Sequence, residues 1–159
     1  GAEKNGIKVG TWDFYDSKES LKTTIKYVTI CGKSHPNEMF CYDEHKIIDS
    51  TKGNYFYTKL EKNKLEVKEY TTLKIKYKPY FNNSKFNLYI SKDIDDNFCN
   101  ASFNSDITLY EILPTKNTFT VKISFSKKGI QNIRGFIEEI YKSDNAEKIT
   151  FIDIPVEVY

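Results

Sequence analysis

Arginine is all but missing from this chain. Arg134 stands alone among 24 basic residues, which face 22 acidic ones and leave a formal net charge of +2. A nucleic-acid surface needs basic groups gathered on one face, preferably with guanidinium forks for bidentate contacts. The lysines read instead as scattered through polar positions of strands and turns, and nucleic acid is discounted as a partner. No apolar run reaches about 18 residues, so no helix long enough to cross a membrane is encoded. The charged start and apolar segment of a signal peptide are also lacking. Gly1 to Glu3 look like a trimmed start. An export signal or a lipid-anchored cysteine is expected to have preceded them, and such an anchor is the one membrane attachment foreseen.

Reactive signatures are absent as well. The chain has no G-x-S-x-G elbow, no H-E-x-x-H pair and no glycine-rich phosphate loop. Cys41 and His45 lie in a turn-rich segment that gives no reason for them to meet, and no third residue suggests itself to orient them. Glu138 and Glu139 are neighbours, so in a strand they point to opposite faces and cannot flank one bond. The expectation is a protein without catalytic residues or cofactor. Nor does a stretch of low complexity mark a linker. At 159 residues the chain suits one domain, and a chain of this length buries about 70% of the surface it exposes when unfolded.

What is present is period-two alternation. In "NTFTVKISF", Phe119, Val121, Ile123 and Phe125 face one way while Thr120, Lys122 and Ser124 face the other, as a half-buried strand requires. Leu73, Ile75 and Tyr77 alternate with lysines, and Phe86, Leu88 and Ile90 repeat the pattern. Ile152, Ile154, Val156 and Val158 alternate around Pro155, which marks an edge or a bulge because it cannot donate to a ladder. Turn-forming clusters separate these runs. The stretch "SKKGIQNIRGFIEEIY" is ambiguous: Ile130, Ile133, Ile137 and Ile140 have helical spacing. Gly135 in its middle would cost a helix roughly 1 kcal/mol, and strands flank it on both sides. A strand is predicted, with Ile133, Gly135, Ile137 and Tyr141 on one face and Phe136 and Ile140 on the other.

Within that stretch, Lys128, Gly129, Asn132, Ile133, Arg134, Gly135, Ile137 and Glu139 resemble a K-x-G-x-N-x-I-R-G-x-I-x-E segment. It occurs near the C-terminus of immunoglobulin-like β-sandwich domains in envelope proteins and lipoproteins of Bacteroidetes. The resemblance spans about residues 65–159 and implies a structural or adhesive module. Asn5, Gly6, Lys8, Gly10, Trp12, Tyr15, Leu21 and Tyr27 are similar to one MORN-like repeat unit, a β-hairpin. Ser17 to Ser20 lack the glycine usual in its turn, which predicts a looser hairpin. A lone unit cannot bury its apolar face, so it should pack on the sandwich.

"CGKSHPNEMFCYDEHK" gathers Cys31, His35, Cys41 and His45. Zinc could in principle be held by such a quartet, but neither C-x2-C nor H-x3-H spacing occurs. A Cys31–Cys41 disulfide with both histidines solvated is the preferred alternative, free thiols the other, and Cys99 is then expected as a small buried hydrophobe. Asp93, Asp95 and Asn97 resemble half of a calcium loop. Phe98 and Asn104 stand where it needs glycine and glutamate, so a solvated turn is expected. In "GNYFYTK", Tyr55 and Tyr57 share one face, Phe56 takes the other, and rings presented to solvent could hold a glycan or protein.

These observations add up to an all-β protein: a MORN-like hairpin and Cys/His-containing loop over residues 1–50, then an immunoglobulin-like antiparallel β-sandwich over 51–159. The expected function is a non-catalytic binding or structural module of an exported envelope protein, in the periplasm or on the outer surface of a Gram-negative cell, with a protein or glycan partner. The alternative is a metal-binding protein, even a zinc enzyme, built on Cys31, His35, Cys41 and His45. A third reading, the neutralising partner of a toxin, rests only on where MORN-like hairpins occur.

Overall fold

A computed structural model describes residues 1–91, 94–100, 108–111, 117–141 and 146–159, and among these it contains strands and turns but no helix. An N-terminal sheet is formed by β1 (Ala2–Lys4), β2 (Ile7–Tyr15), β3 (Leu21–Ile30) and β4 (Lys33–Cys41), in that order. A second sheet has β5 (Tyr55–Leu60), β7 (Tyr70–Lys78) and β10 (Thr118–Ser124), with β7 central. The third holds β6 (Lys64–Leu65), β8 (Lys85–Ser91), β9 (Thr108–Glu111), β11 (Gly129–Tyr141) and β12 (Ala146–Val158), in the order β6-β12-β11-β8-β9. Among the described residues the ladders are antiparallel, apart from the short parallel β6–β12 pairing. In immunoglobulin terms, β5, β7 and β10 take the A, B and E places, and β8, β11 and β12 take C, F and G. The all-β architecture expected from the alternation, in the immunoglobulin-like sandwich form that the resemblance implied, is the fold observed.

Its core lies between the second and third sheets. Leu73, Ile75 and Tyr77 of β7 and Phe119 and Val121 of β10 meet Phe86 and Leu88 of β8, Ile133 and Ile137 of β11, and Ile152, Val156 and Val158 of β12. Leu73, Ile75, Leu88, Ile137 and Ile152 are fully buried. Burying a side chain of this size contributes about 1.5–3 kcal/mol, which is how alternation becomes stability.

The ambiguous stretch is the strand Gly129–Tyr141. Ile133 and Ile137 enter the main core, whereas Phe136 points the other way into a second cluster with Ile94, Phe98 and Phe151. Ile130, which a helix would have buried with its partners, is 68% exposed. Gly135 has a positive reason to be there: a Cβ at this position would lie 2.1 Å from the Tyr89 carbonyl oxygen of β8. The close approach of the two strands excludes any side chain, so the residue that weakens a helix permits this ladder.

The N-terminal region differs from its expectation. The hairpin β2–β3 forms, but β1 and β4 flank it, and "KSHPNEMFC", read as part of a loop, is the strand β4. Two turns with paired positive φ make this sheet: Asn5 and Gly6 (54° and 73°), and Cys31 and Gly32 (49° and 75°), as two-residue hairpin loops require. The glycine-free turn closes differently. Asp16 accepts the amides of Lys18 and Ser20 at 2.8 and 3.0 Å, and Glu19 adopts φ 61°. Alternation fails to announce β4 because its pairing skips Asn37: Lys26 faces Glu38, but Tyr27 faces Pro36. Such a bulge re-aims one side chain.

Candidate functional site

The Cys/His quartet is not assembled. Cys31 is disulfide-bonded to Cys99, 68 residues away with a Cα–Cα distance of 5.0 Å, so the expected Cys31–Cys41 bond and the apolar role for Cys99 are both replaced. The reason is topological: Cys31 sits in the β3–β4 turn, which lies against the 94–100 loop, where its amide donates to the Asn97 carbonyl at 3.0 Å. Cys41 ends β4 with a free thiol, and His45 lies exposed beside Glu44. Among the described residues no cluster of three or more histidine, cysteine or acidic side chains is placed to hold a metal. Asp95 uses its carboxylate on the amides of Asn97 and Cys99, at 3.1 and 3.0 Å, which is a closed turn. Asp93 lies outside the described residues.

His35 is not solvated but joins a junction. The free edge of β12 exposes the backbone of Ile149 and Phe151, since β6 pairs only with Glu157 and Val158. Asn37, aimed by the bulge, donates to the Phe151 carbonyl at 2.9 Å and accepts its amide at 2.6 Å, while His35 Nε2 lies 3.0 Å from the Ile149 carbonyl. Asn54 donates in turn to the Asn37 carbonyl and to Thr150 Oγ1. Burial holds the His35 pKa below its ordinary value, against the opposing pull of the Ile149 carbonyl. Pro155 has the same parity as Phe151, so its missing N–H falls on this edge, where a ladder loses nothing. Two side chains thus finish a strand edge that would otherwise invite pairing with another chain.

The paired carboxylates have separate tasks. Glu139 is fully buried and accepts four donors: Tyr77 Oη at 2.9 Å, the amides of Tyr80 and Phe81 at 2.8 and 2.7 Å, and Ser84 Oγ at 2.6 Å. It fixes the turn between β7 and β8. Burial, reinforced by the Glu139 charge, pushes the Tyr77 phenol well above its usual range. Glu138, on the opposite face, accepts Tyr89 Oη at 2.9 Å.

What faces solvent is the outer surface of the β10-β7-β5 sheet. Tyr55 and Tyr57 share this side, while Phe56 packs on the core. Tyr55, however, is buried: it stacks on Phe40 of β4 (centroids 4.8 Å apart, planes 13°) and meets Tyr57 edge-on at 5.5 Å. Tyr57 is left 54% exposed on a fixed support. Beside it the register sets Lys76 opposite Tyr57 and Lys74 opposite Lys59. On the other flank Thr118 and Thr120 pair with Lys76 and Lys74, and Lys122 lies opposite Thr72 with its ammonium 4.8 Å from the Tyr70 ring. A cleft of about 340 Å³ is lined here by Lys59, Glu61, Thr72 and Lys74. Most lysines are scattered over the molecule, but Lys59, Lys74, Lys76 and Lys122 share this face. The alternation of "LKIKYK" pointed to a common side; which strand would stand opposite it was not legible.

No protein-family model matches the chain, and no curated protein matches it.

Proposed function

We propose that this protein is a non-catalytic binding module of an exported cell-envelope protein, and that its contact surface is the outer face of the β10-β7-β5 sheet. The observation that carries this is a division of labour. Cys31, Cys99, His35, Asn37 and Glu139 are engaged inside the fold, whereas Tyr57, Lys59, Lys74 and Lys76 are turned outward with no carboxylate within ion-pair distance among the described residues. The Cys31–Cys99 bond is of a kind that persists in oxidising compartments, which supports export to the periplasm or cell surface. The resemblance of Lys128 to Glu139 to envelope sandwich domains points the same way.

Fractionation of producer cells carrying the full reading frame, followed by thiol alkylation, tests this proposal. The expected result is protein in the envelope fraction with one alkylated cysteine, Cys41. Recovery from the cytosol with all three thiols reactive would refute it.

A further inference from the structure

We infer that the outer face of the β10-β7-β5 sheet binds an acidic polysaccharide, a proposal that rests on the binding-module reading above and names its ligand. Exposed lysines alone say little, because they serve solubility and guard sheet edges. Lys74 and Lys76 are different: they stand on β7, the central strand of the sheet, where no edge needs guarding. Lys74 moreover faces Lys59 directly, and like charges opposed across a ladder are destabilising. Lys26, Lys64 and Arg134 each meet a carboxylate, of Glu38, Glu157 and Asp153, whereas this opposed lysine pair meets none within ion-pair distance among the described residues. Glu61, which lines the cleft beside Lys59 and Lys74, is the one carboxylate set among them there, so the face keeps an excess of positive charge that an anionic ligand can meet.

The form of the surface narrows the chemistry. From the Tyr57–Lys76 row to Tyr70 the face runs about 20 Å at roughly 3.4 Å per residue, and three strands span about 10 Å. Along it lie separate ammonium groups as point charges, the outward Thr118 and Thr120 hydroxyls, and one buttressed ring, Tyr57. Carboxylates spaced along a chain fit the lysines, sugar hydroxyls fit the threonines, and a sugar ring fits the exposed Tyr57 face. Guanidinium forks, which suit clustered phosphates, are missing; Arg134 belongs to the other sheet and is held by Asp153 and the Ile94 carbonyl. Exposed rings close enough to stack successive bases are missing too, since Tyr57 and Tyr70 stand at opposite ends.

The test uses the intact oxidised protein and polygalacturonate as probe, with neutral dextran, single-stranded DNA and anionic phospholipid vesicles beside it. At ionic strength near 0.15 M, where the screening length is about 8 Å, only contact-range attraction survives. Polygalacturonate is expected to bind and neutral dextran not. Changing Lys59, Lys74 and Lys76 together to Glu should weaken binding about tenfold or more, and Tyr57→Ala severalfold, with melting temperature and near-ultraviolet dichroism retained. If the triple variant misfolds, Lys59→Gln with Lys74→Gln gives the same comparison without charge reversal. Equal binding by wild type and variants, or tighter binding of DNA or vesicles with Tyr57→Ala silent, overturns the proposal. Capture of envelope protein through the lysine face, without affinity for polygalacturonate, also defeats it while leaving the binding-module reading intact; a protein that binds neither defeats both.

Discussion

The sandwich and the N-terminal sheet reach stability by different routes. The sandwich buries two apolar faces against each other, and Ile75, Leu88, Ile137 and Ile152 owe nothing to residues before β5. In the N-terminal sheet, Trp12, Ile25 and Tyr27 are only half-buried, and its inward face, through Val28 and Ile30, shares a smaller cluster with Phe136 and Phe151. It depends on what it borrows: a covalent bond to Cys99 and the edge of β12. A sheet that cannot close its own core can still be well placed if it completes the hydrogen bonding of a neighbour, and the neighbour gains a covered edge in return.

Four measurements put this contrast at risk. The largest effect is expected from the disulfide. Changing Cys99 to Ser frees a loop of 68 residues, for which the chain-entropy account gives about 4 kcal/mol. Protease sites in β3 and β4 should open first, and a single shared unfolding transition of unchanged midpoint would contradict the borrowed-stability view. Ile137→Ala, at a fully buried site, should lower stability by roughly 3–4 kcal/mol in urea titrations, and here both regions should melt together. Asn37→Ala leaves the amide and carbonyl of Phe151 unpaired, a loss of about 2–3 kcal/mol. Hydrogen exchange should rise at 149–151 and across β4 while β7 and β10 stay protected; protection lost equally everywhere would erase the distinction.

The smallest effect is a pH dependence. Because burial depresses the folded-state pKa of His35, the unfolded chain takes up its proton first, and stability falls as pH drops below about 6.5. His35→Gln, which keeps a donor near the Ile149 carbonyl but does not titrate, should flatten that part of the stability curve. A variant as acid-sensitive as wild type between pH 7 and 5 would remove His35 from the junction's energetics.

Legibility tracks this contrast. Phe119 to Phe125 and Leu73 to Tyr77 could be placed on their faces directly, because a strand buried on one side writes a period of two into its own residues. Even the ambiguous Ile130 to Tyr141 resolved correctly once Gly135 and the flanking strands were weighed. The N-terminal region was read less well. The Asn5-Gly6 pair was a hairpin signal in plain view, but β4 carries a bulge at Asn37 that breaks the alternation, and Cys31 offered a nearer partner in Cys41 than its true one. At the candidate site, the shared side of Tyr55 and Tyr57 was foreseen, while the burial of Tyr55 under Phe40 was not.

Side-chain chemistry and local spacing were enough, without any coordinates, to determine that this chain forms strands, where most of them run and which residues enter the sandwich. Local burial depends on neighbours two residues apart. The meeting of Cys31 with Cys99, the completion of the β12 edge by Asn37 and His35, and the opposition of Lys59 to Lys74 emerge from the folded molecule alone. Each of these joins segments whose distance along the chain bears no relation to their distance in space.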